Sequence, residues 1–209
     1  MIKIALIVEG LNSFGGMTKT ILTIAKELQK RGIEVNIFAG MCDENKTFEE
    51  FKEFNVKTFL KKRLPPVINA LYLRYKFSRL TLKGYNGFII YGFNSIAAGK
   101  NNHPNVWWST NPLDYLYEFK DNMKNFSILK YTKTKNYIKR VFLNIYLKLL
   151  RYLDQKDIEG VDKIFAVGSF AKKRLEKAYP KRVVEILYAP TDTNKLRYLS
   201  KGKYYLSVA

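Results

Sequence analysis

Residues 9–18, EGLNSFGGMT, place Gly15 and Gly16 directly ahead of a helical pattern, with Ser13 and Phe14 in the same loop. Glycines there let a ligand approach the main chain, and the free N–H groups of a helix start favour phosphate. The same pair also suits an ordinary tight turn. It does not match the dinucleotide fingerprint G-x-G-x-x-G, and it lacks the lysine of a P-loop. Further along, Thr110, Asn111 and Asp114 surround Pro112. Asp114 and Glu118 stand four apart, which sets two carboxylates on one side of a helical turn or leaves both on a solvated face. Ser169 precedes the helical string FAKKRLEKAY, where its hydroxyl suits an N-cap and, secondarily, the lining of a cleft. Cys42 is the only cysteine and His103 the only histidine. A disulfide framework is therefore excluded, and a metal site built on these residues is not expected. His103, in NNHP, reads as an exposed loop residue.

These residues need elements to position them. IKIALIV, residues 2–8, is a continuous apolar run that predicts a strand buried on both faces. A helix follows over 18–31 with Gly32 as its stop, then a short strand over 34–39. That is a βαβ unit, which favours a right-handed crossover and a parallel sheet. The alternation continues with helices over 44–54 and 67–82 and strands over 56–60, 87–91, 106–109, 163–167 and 183–188. The pattern predicts an α/β fold, a doubly wound and mainly parallel Rossmann-like sheet whose ligands lie beyond the carboxyl ends of the strands. Over 135–153, Ile138, Val141, Phe142, Ile145, Tyr146, Leu149, Leu150 and Leu153 recur at helical spacing, with Lys139, Arg140, Lys148 and Arg151 largely elsewhere. This predicts an amphipathic helix, either core-facing with solvated lysines or in contact with a membrane surface.

Charge is distributed unevenly. The 209 residues carry a net +19, yet residues 1–59 hold eight basic and eight acidic side chains, and residues 60–84 hold seven basic and none acidic. Such asymmetry points to an anionic partner, phospholipid or nucleic acid, or to a merely crowded solvated surface. No apolar run reaches the roughly 18–20 residues of a membrane-spanning helix. The N-terminus lacks the pattern of a secretory signal, so a cytoplasmic protein is expected.

Residues 1–40, MIKIALIVEGLNSFGGMTKTILTIAKELQKRGIEVNIFAG, resemble the opening of the retaining GT-B glycosyltransferases of the group 1, GT4-like family. PLDYLYE at 112–118 is similar to the family's segment after its "HTP"-type strand end. VDKIFAVGSFAKKRLEKAYPKRVVEILYAPTDTNKL at 161–196 resembles its "D-x-I-x-A-x-S … V-I-Y-x-P-x-D" stretch, and KYYLSVA at 203–209 the strand that begins its second domain. The resemblance implies the N-terminal, acceptor-side domain of a two-domain transferase over 1–200, with 201–209 as the connection and first strand of a C-terminal donor domain. It implies a nucleotide-sugar donor, a glycan or lipid-linked acceptor, and no metal. The amides of Gly15 and Gly16 would face the donor diphosphate and the acceptor, while Thr110, Asn111, Asp114 and Ser169 would line the cleft. Thr110 and Asn111 stand where many members have histidine, and His103 lies too far upstream to replace it.

On this reading the donor domain comes in cis or as a separate subunit, and the chain alone turns over poorly or not at all. Lys61, Lys62, Arg63, Arg74, Lys139 and Arg140 are the expected contacts to an anionic membrane, which would make the protein peripheral on the inner face of the cell membrane. The alternative is a non-catalytic basic module that binds membrane or nucleic acid. Nucleic acid is disfavoured by the neutral first 59 residues and the lack of a recognised module.

Overall fold

In a computed structural model, residues 1–62, 64–112, 114–117 and 137–191 are described. Seven strands, β1 (Lys3–Val8), β2 (Glu34–Met41), β3 (Asn55–Leu60), β4 (Gly87–Tyr91), β5 (Asn105–Ser109), β6 (Lys163–Ala166) and β7 (Val184–Ile186), form one sheet in the order β3-β2-β1-β4-β5-β6-β7. Every pairing is parallel. The helices are α1 (Gly16–Lys30), α2 (Pro66–Ser78), α3 (Asp114–Tyr117), α4 (Tyr137–Asp157) and α5 (Ser169–Ala178). The fold is the Rossmann-like α/β sheet that the apolar runs predict.

The reason those runs are continuous is visible strand by strand. Ala5 and Ile7 enter one core while Leu6 and Val8 enter the other, and Trp107 and Trp108 divide between the faces in the same way. A parallel sheet covered on both sides has no water-facing row to fill with polar residues. Ile21, Leu22 and Ala25 of α1 close one face. Leu73 and Phe77 of α2, a 3-10 helix over Asn94–Asn101, and Ala171 and Leu175 of α5 close the other. α1 ends at Gly32, whose φ of 74° is costly for a residue with a Cβ. Gly32 N donates to Gln29 O and Ile33 N to Leu28 O, which satisfies two orphan carbonyls at the helix end.

Three expectations are corrected. The helix expected over 44–54 is two 3-10 turns, Glu44–Lys46 and Glu49–Glu53. Phe48, Phe51 and Phe54 recur every third residue, which suits 3.0 residues per turn better than 3.6. The strand expected over 183–188 is limited to Val184–Ile186. The amphipathic helix is present as α4, but only part of its apolar stripe is core-facing: Leu150 is buried and Tyr146 half-buried against it, while Val141, Phe142, Ile145 and Leu149 are exposed. The domain boundary near residue 200, the strand expected over 203–209 and Arg63 lie outside the described residues.

Candidate functional site

β1 lies between β2 and β4, so the chain leaves β1 toward one face of the sheet and leaves β4 toward the other. The strand carboxyl ends part at such a switch point and leave a crevice. A cavity of about 340 Å³ occupies it, walled from β1 by Glu9 and Gly10, from β4 by Tyr91, Gly92 and Phe93, and from β5 by Ser109 and Thr110. Met41 follows from β2, while Asn69 and Leu73 of α2 form the far wall.

Glu9 is the best-held polar group in this wall. Its Oε2 accepts from Phe93 N at 2.8 Å and Asn94 N at 3.4 Å, and its Oε1 accepts from Asn94 Nδ2 at 2.6 Å. Gly92 makes this approach possible. Its φ is 107°, and a Cβ there would come within 2.6 Å of the Glu9 Cβ. Gly92 O also accepts from the buried Trp107 Nε1 at 3.0 Å, which ties the turn to the sheet. Tyr91 meets Trp108 edge-on at 5.6 Å, and burial raises its hydroxyl pKa. The remaining polar groups of the wall are neutral: Asn12, Asn69, Ser109 and Thr110. Among the described residues that line it, Glu9 carries the only formal charge.

Next to the cavity lies the start of α1. Gly15 is its N-cap in extended conformation, no side chain caps the helix, and no acidic residue stands in its first turn. The first amides of α1 are thus open to an anion. A Cβ added at Gly16 would meet nothing within 4 Å. Ser13, Phe14, Gly15 and Gly16 are exposed at the cavity's rim and form no part of its wall, whereas Asn12 and Met17 on either side of them do. Phe14 packs edge-on against Phe48 at 5.5 Å.

The other expected residues are only partly gathered here. Thr110 lines the cavity. Asn111 is turned toward α5, where its Oδ1 accepts from Arg174 Nη1 at 2.8 Å, and its carbonyl accepts from Ser109 Oγ at 2.9 Å. Asp114 begins α3, but its side chain lies outside the described residues. Ser169 is exposed as the first residue of α5 and is not its N-cap, a position held by Gly168 without any side-chain cap. His103 is exposed as expected, at the amino end of β5 and hence at the opposite edge of the sheet, beside Asp162 at 3.0 Å.

Of the expected membrane contacts, Lys61 and Lys62 are exposed, and Lys139 and Arg140 lie on α4 with side chains outside the described set. Arg74 is a correction. Its side chain is 5% exposed, its Nε donates to Asp157 Oδ2 at 2.5 Å, and Asp154 Oδ1 lies 3.9 Å from its Nη2. Leu73, Phe77 and Arg74 fall within one arc about 100° wide on α2, so helical periodicity turns Arg74 toward the same buried side. Glu9 was missed because in the sequence it looks only like the end of a strand. Asn69 and Tyr91 carry no signal without the strand order that brings them together.

The model of Glycosyltransferase Family 4 matches residues 14–195. No curated protein matches the chain. Among solved structures, the apo form of the lipopolysaccharide outer core galactosyltransferase WaaB is 17% identical with a TM-score of 0.58, over 93% of this chain and 47% of that one. An alpha-glucosyltransferase in complex with UDP and a 13-mer DNA is 17% identical with a TM-score of 0.48, over 94% and 44%. A UDP-N-acetylglucosamine 2-epimerase is 14% identical with a TM-score of 0.45, over 90% and 48%. The chain thus spans about half the length of these structures, and the WaaB likeness places its sheet in the GT-B fold. With a family model matched over most of its length, the chain belongs to Glycosyltransferase Family 4.

Proposed function

We propose that this domain is the acceptor-binding half of an enzyme that moves a sugar from a nucleotide sugar to a glycan or lipid-linked acceptor. A donor-binding half would come from the same polypeptide or from a separate subunit. The observation that carries the reading is a cavity with neutral polar walls and one carboxylate, placed beside an open helix N-terminus. A sugar acceptor offers hydroxyl donors to Glu9, mixed donors and acceptors to Asn12, Asn69 and Thr110, and apolar ring faces to Tyr91 and Phe93. A diphosphate offers charge to the amides of α1. Membership of a glycosyltransferase family supports the reaction class.

Transfer breaks the bond between the anomeric carbon and the phosphate oxygen and makes one to the acceptor oxygen, while the hydroxyl proton passes to the departing diphosphate. Negative charge on that leaving group grows toward the transition state. Fixed N–H donors at Gly16 and the residues after it would therefore stabilise the transition state more than the bound donor. Glu9, already aligned by three N–H donors, would hold the acceptor hydroxyl with little reorganisation. Asn111, fixed by Arg174, would keep the Thr110 loop in place at the cleft.

The test is saturation-transfer NMR of the chain with a panel of methyl hexosides. At least one hexoside is expected to show enhancements, and Glu9→Gln is expected to abolish them while circular dichroism stays unchanged. A silent panel, or enhancements that survive Glu9→Gln, would remove the acceptor site from this cavity.

A further inference from the structure

α4 carries an outward face that a helix packed on a protein surface does not need. At 3.6 residues per turn, Val141, Phe142, Ile145, Leu149 and Tyr152 fall within an arc about 100° wide. Phe142 is 70% exposed, Ile145 58% and Tyr152 63%. The opposite arc holds the buried Leu150 and Asp154, by which α4 packs against α2, α3 and the 3-10 helix over Asn94–Asn101. The helix is therefore apolar on the side that faces away from its own domain, and a contiguous exposed stripe of this kind marks an interaction surface.

Charge identifies the partner. Residues 122–153 contain eight Lys and Arg and no acidic residue. Lys148 and Lys156 are exposed beside the stripe or at its end, the Arg151 guanidinium lies over the Tyr117 ring at 5.1 Å, and the acidic residues of α4, Asp154 and Asp157, are turned inward onto Arg74. An apolar stripe bordered by cations matches a bilayer of anionic lipid, whose acyl boundary takes the stripe and whose headgroups take the ammonium and guanidinium groups. A second copy of the chain would bring like charges together across the same face, and nucleic acid would leave the apolar stripe in water. No helix among the described residues is long and apolar enough to cross a membrane.

We propose that α4 lies in the interfacial plane of an anionic membrane, with Val141, Phe142, Ile145, Leu149 and Tyr152 inserted and Lys148 and Lys156 at headgroup level. None of these residues lines the switch-point cavity, so docking is independent of the acceptor proposal and its test requires no transfer. Docking would hold the catalytic cleft at the surface where a lipid-linked acceptor resides.

The experiment is co-sedimentation of the chain with vesicles of phosphatidylcholine containing about a third phosphatidylglycerol, and with pure phosphatidylcholine, at low salt. Binding to the anionic vesicles and a blue shift in the emission of Phe142→Trp upon binding are expected. The double variant Phe142→Glu, Ile145→Glu replaces exposed residues, so its unfolding curve should not move while its partitioning falls by at least about tenfold. Absence of binding, binding undiminished in the double variant, or a dimer of the free protein that the double variant dissolves would each overturn the proposal, the last by assigning the face to self-association.

Discussion

At the residue scale, two glycines near the cavity respond to the same substitution in opposite ways. Gly92 has a φ of 107° and almost touches Glu9, so Gly92→Ala must strain the backbone and push Glu9 off its three donors. A loss of about 1–3 kcal/mol in urea unfolding is expected. Gly16 is the first residue of α1 and faces open space, so Gly16→Ala should leave stability unchanged or raise it by up to about 1 kcal/mol. With a donor half present, however, the new methyl group would stand where the diphosphate must approach the α1 amides. Transfer should fall by about tenfold or more while the unfolding midpoint holds. A fully active and equally stable Gly16→Ala enzyme would place the diphosphate elsewhere.

At the scale of elements, a buried polar network decides how the helices meet. Asp154 Oδ2 accepts from Tyr117 Oη at 2.5 Å and from Tyr179 Oη at 2.7 Å, and Gln155 Nε2 donates to Tyr117 Oη and to Ala178 O. Arg74 binds Asp157 and approaches Asp154 from α2. Burial pushes the Asp154 and Asp157 carboxyls up, and the tyrosine hydroxyls and Arg74 oppose this at Asp154, as Arg74 does at Asp157. Removing the cation leaves the carboxylates buried without compensation, so Arg74→Ala should cost about 3–5 kcal/mol in denaturant titrations.

The same network sets the alkaline limit of the fold. Burial first, then the Asp154 carboxylate, raises the Tyr117 and Tyr179 hydroxyls well above the ordinary tyrosine value of 10.0. The unfolded chain releases these protons near that value and the folded chain keeps them. Their contribution is therefore complete below the ordinary value and is lost as pH rises above it toward the folded values. Stability should decline in that alkaline window, and absorbance at the phenolate band should show these two tyrosines ionising only as the protein unfolds. Their early, reversible titration in the folded protein would argue against the network.

At the scale of the whole molecule, seven parallel strands in one sheet couple the two cores, because neighbouring residues of each strand belong to opposite faces. Trp107 and Trp108 sit side by side in β5, one in each core. Their joint emission therefore reports both faces. It should shift to the red in one transition that coincides with loss of far-ultraviolet circular dichroism. Two separated transitions would mean that one face melts before the other.

The sequence by itself determined the kind of fold, the order of its elements and the family, because apolar runs, 3.6-residue periods and the glycines that stop helices are local signals. It also marked the Gly15–Gly16 helix start. Only the tertiary structure decided which groups meet. Glu9 finds Phe93 and Asn94 across 84 and 85 residues, and Arg74 finds Asp157 across 83. Such contacts follow from a strand order in which β1 sits beside β4, and no local pattern encodes that order. The orientation of α4 has the same origin. Periodicity revealed an apolar stripe but left open which way it turned. The buried Asp154 needs Tyr117 and Tyr179, and satisfying that carboxylate in the interior turns Val141, Phe142, Ile145 and Leu149 outward while Leu150 stays buried.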